Sequence, residues 1–220
     1  ACFSHPLSKC NAVSRNFASL VGDTSMQSDL AGWAKICDRI YIWDYVNNYR
    51  ETVCIFPNFG VMQRNVQIFY ENNVKGIYEE GNYYINECDG EFGEMRTYLL
   101  SKLMQNPYLD FDAEMLGYLN AVYGPGGKYI KEFIDIVTDH AVTDYKHLYI
   151  VEDSRFSLPG MMPWEVSRCD ELWEMAKSET ENEEQLNQLL RSEISWRYWK
   201  CAHYRMEFSI FQSPYKWMNA

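Results

Sequence analysis

No apolar run in this chain approaches the roughly 20 residues that a membrane-crossing helix requires. The longest, such as Ile40-Tyr41-Ile42-Trp43, end after one turn's worth of chain. Basic residues are scarce beside acids: 20 Lys plus Arg against 31 Asp plus Glu leave a formal charge of −11. A phosphate backbone is held mainly by Lys and Arg, so this balance argues against a nucleic-acid partner. No charged-then-apolar leader is visible and the chain starts Ala1-Cys2-Phe3, so it reads as a mature piece or an excised part of something longer. No Cys-x-x-Cys occurs among the seven cysteines, so the tight zinc and redox spacings are missing. No Gly-x-Ser-x-Gly elbow is present. Gly124-Pro125-Gly126-Gly127 lacks the Gly-Lys-[Ser/Thr] ending of a phosphate loop and follows a helical segment rather than a strand.

What is present points to a packed, aromatic-rich fold. Apolar residues make up 47% of the chain and aromatics 16%, too much of both for a disordered segment. At 220 residues the chain makes one large domain or two small ones. Cys2, His5 and Cys10 offer three metal ligands with no fourth nearby; a local Cys2–Cys10 disulfide or two ordinary thiols are the alternatives. The histidines at 5, 140, 147 and 203 are scattered, and turn or cap roles suit them better than a metal site. Neither a metal nor a cofactor is expected.

Two halves differ in texture. Residues 1–106 carry the two best strand candidates, and residues 107–220 read almost wholly as helix. Phe17, Leu20 and Val21 open the first half. Leu30, Trp33, Ala34 and Cys37 then follow a helical i, i+3, i+4, i+7 spacing that ends at Asp38-Arg39 and puts Trp33 in the core. Ile40 to Val46 is β-branched and aromatic throughout, which predicts a strand buried on both faces. After Asn47 to Arg50 and the turn Pro57-Asn58-Phe59-Gly60, Met62, Val66, Phe69, Tyr70 and Asn73 define one helix face. Gln63 and Asn65 on that helix are expected to support packing. Val74 to Gly81 begins as a second strand and ends in acids. Phe92, Met95, Leu99 and Leu103 mark the next helix, stopped by Asn106-Pro107. Strand–helix alternation implies parallel strands, and two of them cannot bury their own faces, so the first half reads as part of a larger α/β barrel or sheet. In the second half, helices are predicted over Ala113–Tyr123, from Ile130 to Ala141, from Trp164 to Lys177, and as one long element from Glu181 through Cys201 toward Phe211. The acids between 170 and 193 read as a solvated face.

In a (β/α) barrel the active site lies at the C-terminal ends of the strands. Asp44 ends the first strand, and Glu79 and Glu80 end the second. Asn47, Asn48, Tyr49, Asn82, Tyr83 and Tyr84 follow in the loops. Carboxylates and amides exchange hydrogen bonds with sugar hydroxyls, aromatic rings stack on the apolar face of a pyranose, and paired carboxylates are the groups that hydrolyse glycosides. The bland alternative is that Asp44 caps a helix or pairs with an Arg and that the Glu pair is simply exposed.

Cys2 to Leu7 through Ile42-Trp43-Asp44-Tyr45, then Pro57-Asn58-Phe59, Asn65 to Phe69, Gly76-Ile77-Tyr78-Glu79-Glu80-Gly81, Glu94 to Pro107 and Tyr123-Gly124 resemble bacterial proteins carrying the domain of unknown function 4838, over roughly residues 1–140. The resemblance implies an exported (extracellular or periplasmic), carbohydrate-associated protein. Its central region would be similar to the (β/α) barrels of glycoside hydrolase family 20 and of bacterial α-glucuronidases. On this basis the chain is expected to be α/β. Residues 1–106 would form the last strands of a TIM-like (β/α)8 barrel, and residues 107–220 a mostly helical C-terminal extension. The bond-breaking acids would lie upstream of residue 1, so the catalytic residues are unknown from this chain. Asp44, Glu79, Glu80, Trp43, Tyr45, Tyr78 and Tyr83 are the expected substrate-binding residues. The expected partners are an oligo- or polysaccharide and the upstream barrel half. A non-catalytic glycan-binding or scaffold module uses the same surface, and a helical interaction domain would instead use the acidic 170–193 face.

Overall fold

A computed structural model describes residues 26–81, 90–143, 158 and 160–211. The expectations for Phe17, Leu20 and Val21, for Cys2, His5 and Cys10, and for Asn82, Tyr83, Tyr84 and His147 lie outside the described residues. Among those described, the chain is mixed α/β and mostly helical, with two strands. In order these are α1 (Met26–Ala34), β1 (Ile40–Tyr45), α2 (Phe59–Glu71), β2 (Val74–Glu80), α3 (Gly93–Gln105), α4 (Phe111–Tyr123), a 3-10 turn (Gly124–Gly126), α5 (Gly127–Thr143), α6 (Pro163–Ser178), α7 (Glu183–Ser192) and α8 (Ile194–Phe211).

β1 and β2 pair in parallel through the crossover α2, as the strand–helix alternation predicts. The chain leaves α2 through Asn73 at φ 59°, a left-handed conformation that Asn tolerates better than most residues. The sheet is not buried on both faces. Exposure alternates along β1, with Ile40, Ile42 and Asp44 inside and Tyr41 and Trp43 outside. The inner residues pack with Leu30 of α1 and with Ile68 and Phe69 of α2. The period-2 geometry of a strand therefore sorts a run that is apolar at nearly every position into one covered and one open face. Gly76 sits on the open face beneath Tyr41, where an added Cβ would come within 2.8 Å of the ring.

Three helical assignments differ from the sequence pattern. α1 ends at Ala34, and while Leu30 is buried, Trp33 is 48% exposed, so Trp33 is not a core residue. Tyr70 is also exposed, and Asn73 lies beyond the end of α2. The long C-terminal helix is two helices meeting at Glu193, whose side chain turns inward to Lys177 of α6 (3.2 Å) and Arg197 of α8 (2.7 Å). The acids of this stretch are accordingly not all solvated. Glu193 is buried, and Asp170 accepts from the Trp196 indole and from Lys200, both at 2.6 Å.

α2 links the sheet to the helical body. Ile68 and Phe69 face the strands, while Phe59, Met62 and Val66 join the main core with Met95, Leu99 and Leu103 of α3. That core runs on unbroken past residue 106 into Leu119, Phe133, Trp173, Trp196 and Trp199. Gly126 lets the α4–α5 corner meet α6, since a Cβ there would fall 2.6 Å from the Ala176 carbonyl oxygen. No helix among the described residues is long and apolar enough to cross a membrane.

Candidate functional site

Parallel register sets the geometry of the strand ends. Trp43 lies beside Tyr78, Asp44 beside Glu79 and Tyr45 beside Glu80. Lateral partners share a face, so the residues expected to bind substrate divide into two groups. Trp43, Tyr45, Tyr78 and Glu80 belong to the open face, and Asp44 and Glu79 belong to the face turned toward the helices. Tyr83 lies outside the described residues.

On the open face the Trp43 and Tyr78 rings meet edge-on with centroids 5.1 Å apart. The Trp43 indole N–H donates to Glu80 Oε2 across the strands. Tyr45 meets Tyr49 edge-on at 5.0 Å. The Tyr49 hydroxyl is pushed well above its ordinary pKa, first by burial and then by the Glu80 carboxylate beside it. Trp43 is 42% and Tyr78 57% exposed, so the two rings form a ledge with one carboxylate fixed at its edge. Aromatic surface plus an oriented acceptor can grip a ligand that has an apolar face and hydroxyls.

The other face carries a carboxyl pair. Asp44 is buried, and its Oδ1 accepts the Tyr45 backbone N–H at 2.8 Å. Burial pushes its pKa from 3.8 up to about 7. Glu79 is half-buried, but its Oε2 is closed off from solvent and has no hydrogen-bond partner among the described residues. Its pKa is raised by the same desolvation and then by the Asp44 charge. Neither acid caps a helix, and neither forms an ion pair with an Arg or Lys among the described residues.

Beyond Glu79 opens a cavity of about 410 Å³, which Asn47, Glu91, Arg96 and Ser101 also line. Its floor is a buried polar cluster that the sequence pattern did not single out. Arg96 of α3 pairs with Glu91 at 2.7 Å, donates to Asn58, and lies 4.3 Å over the Phe59 ring. Asn58 donates to the Val46 carbonyl oxygen at the end of β1 (3.2 Å), and Glu91 accepts the Phe56 N–H (3.2 Å). This cluster fixes the loop after β1 against the start of α3. Nothing in the spacing of Asn58, Glu91 and Arg96 announces it; the nearest signal is a charged residue among the apolar positions of α3. Gln63, expected to support packing, does so by donating to the carbonyl oxygens of Pro107 (3.1 Å) and Leu109 (2.7 Å).

No group of His, Cys, Asp and Glu that could hold a metal occurs among the described residues. Cys37, Cys169 and Cys201 are free thiols, and burial pushes Cys169 up to about 12.

The chain belongs to the family described as a domain of unknown function (DUF4838), whose family model matches residues 7–135. That match runs from before α1 into the first half of α5 and includes both strands and the Arg96 cluster. No curated protein and no solved structure matches the chain.

Proposed function

We propose that this chain supplies the glycan-gripping strand ends of a glycoside-hydrolase-like (β/α) barrel, with residues 107–220 as its helical extension. The observation that carries the reading is the open sheet face. Trp43 and Tyr78 present joined rings there, Glu80 is held at their edge by the indole N–H, and the helices pack on the opposite side. In a (β/α) barrel the helices cover the outer face of each strand, the opposite face turns into the packed interior, and the ligand end lies at the C-terminal ends of the strands, where Tyr45 and Glu80 stand. Trp43, Tyr78 and Glu80 are the direct contacts on this reading, with Tyr45 and Tyr49 behind them. Further strands of the parent protein would cover the sheet edges and carry the bond-breaking acids. A glycan-acting protein of this kind would work outside the cytoplasm.

Glycan-array binding by the folded 220-residue chain tests this. Trp43→Ala and Glu80→Gln should each abolish the signal. Retention of full binding by both variants, or no binding to any glycan by the folded chain, sinks the reading.

A further inference from the structure

We propose that the ledge on the open sheet face selects a glycan with free amino groups, one ammonium of which meets the Glu80 carboxylate beside the Trp43 and Tyr78 rings. The inference rests on the glycan reading above and narrows it to one class of ligand.

The fixed charge on this face is of one sign. Glu80 ends β2 on the open side, and the groups set against it are neutral. The Trp43 indole N–H donates to its Oε2, and the Tyr49 hydroxyl lies beside it. Among the described residues no Lys, Arg or His pairs with Glu80. β1 contains no basic residue. Lys75, the basic residue of β2, donates to Asn73 at the opposite end of the strand. Arg96 belongs to the covered side of the sheet, where Glu91 balances it at 2.7 Å.

The indole takes one acceptor site of the Glu80 carboxylate and leaves the others for a ligand. A neutral sugar hydroxyl can donate to them. An ammonium group donates to them and adds charge attraction, whereas the carboxylate of an acidic sugar meets repulsion.

The rings act in the same direction. Trp43 and Tyr78 meet at an interplanar angle of 77°, so they form a corner, and both are open to solvent. The negative face of an aromatic ring attracts a cation placed over it, and Trp does so most strongly. The same rings still offer apolar surface to the C–H face of the sugar. A chain of formal charge −11 also draws cationic ligands toward itself, which raises their rate of encounter.

The test is titration of the folded 220-residue chain with short oligomers that differ at one position: glucosamine, N-acetylglucosamine, glucose and glucuronic acid. Isothermal titration gives the affinities, and the Trp43 indole N–H resonance reports whether the ledge is the site. The expected result is that the glucosamine oligomer binds at least roughly tenfold more tightly than the other three, with a shift of the Trp43 resonance. Raising the ionic strength to about 1 M, where screening acts within roughly 3 Å, should remove most of that preference. Equal affinity for the charged and neutral oligomers, or tighter binding of the acetylated or acidic one, overturns the selectivity and leaves the glycan reading standing. Preference for glucosamine without a Trp43 shift overturns the assignment to the ledge. A lysine oligomer of equal charge that binds as tightly and shifts Trp43 as far overturns the sugar class. Absence of binding to all four oligomers removes the glycan reading and this inference together.

Discussion

The indole N–H of Trp43 donates to the carboxylate of Glu80 on the neighbouring strand, which ties an exposed ring to an exposed acid across the open face of the sheet. Both side chains are thereby held in place, and on the glycan reading proposed above that pre-ordering lowers the entropy cost of binding.

On the proposed glycan reading, Trp43→Ala should weaken glycan binding by tenfold or more while lowering stability by no more than about 1 kcal/mol, since the ring is 42% exposed. Isothermal titration beside thermal melting separates the two effects. A large loss of stability would make Trp43 a packing residue.

Phe69→Ala and Trp33→Ala should differ sharply. Phe69 is fully buried between sheet and helix, so its truncation should cost about 3–5 kcal/mol. Trp33, half in solvent, should cost under about 1 kcal/mol. Urea denaturation of both variants is the check.

Glu91→Gln should cost about 3–5 kcal/mol, because it leaves the buried Arg96 guanidinium without its counter-charge. Adding Arg96→Met should recover part of that loss. A double-mutant cycle from denaturant melts measures the recovery, and strict additivity would show that the two side chains act independently.

Stability should fall as pH rises from about 4 through about 7. The unfolded chain releases the Asp44 proton near its ordinary value of 3.8, whereas the folded chain keeps it until about 7. Where the folded state binds more protons, raising the pH favours unfolding. Asp44→Asn should melt closer to wild type at pH 4 than at pH 8, and should be relatively more stable at the higher pH. An equal offset at both pH values contradicts this.

Gly126→Ala should destabilise the chain by about 1–3 kcal/mol, because the new Cβ meets the Ala176 carbonyl oxygen, backbone that cannot rotate away. Gly117→Ala, where nothing lies within 4 Å of the added Cβ, is the matched control and should be neutral or mildly stabilising.

Alternation of strand-like and helical segments was enough to place β1, α2, β2 and α3 in order, and the Gly124–Gly127 break and Pro163 located the α4–α5 corner and the start of α6, though not the boundary between α7 and α8. These are local signals, carried by residue type and turn chemistry within a few positions. Family membership is likewise carried by ordered blocks of sequence. Tertiary structure decided which side of each element faces what. Ile40 to Tyr45 is apolar or aromatic at every position but Asp44, so composition could not say that Trp43 and Tyr41 would stay open while Ile42 packed on Phe69. Trp33 has core-like spacing and still lies outside, because α1 ends a residue after it and presents Leu30 instead. The division of the strand-end residues into an aromatic ledge and a buried carboxyl pair depends on the β1–β2 register, a non-local pairing that neither strand encodes alone. The Asn58–Glu91–Arg96 cluster joins residues up to 38 positions apart, and only packing reveals that their charges neutralise one another.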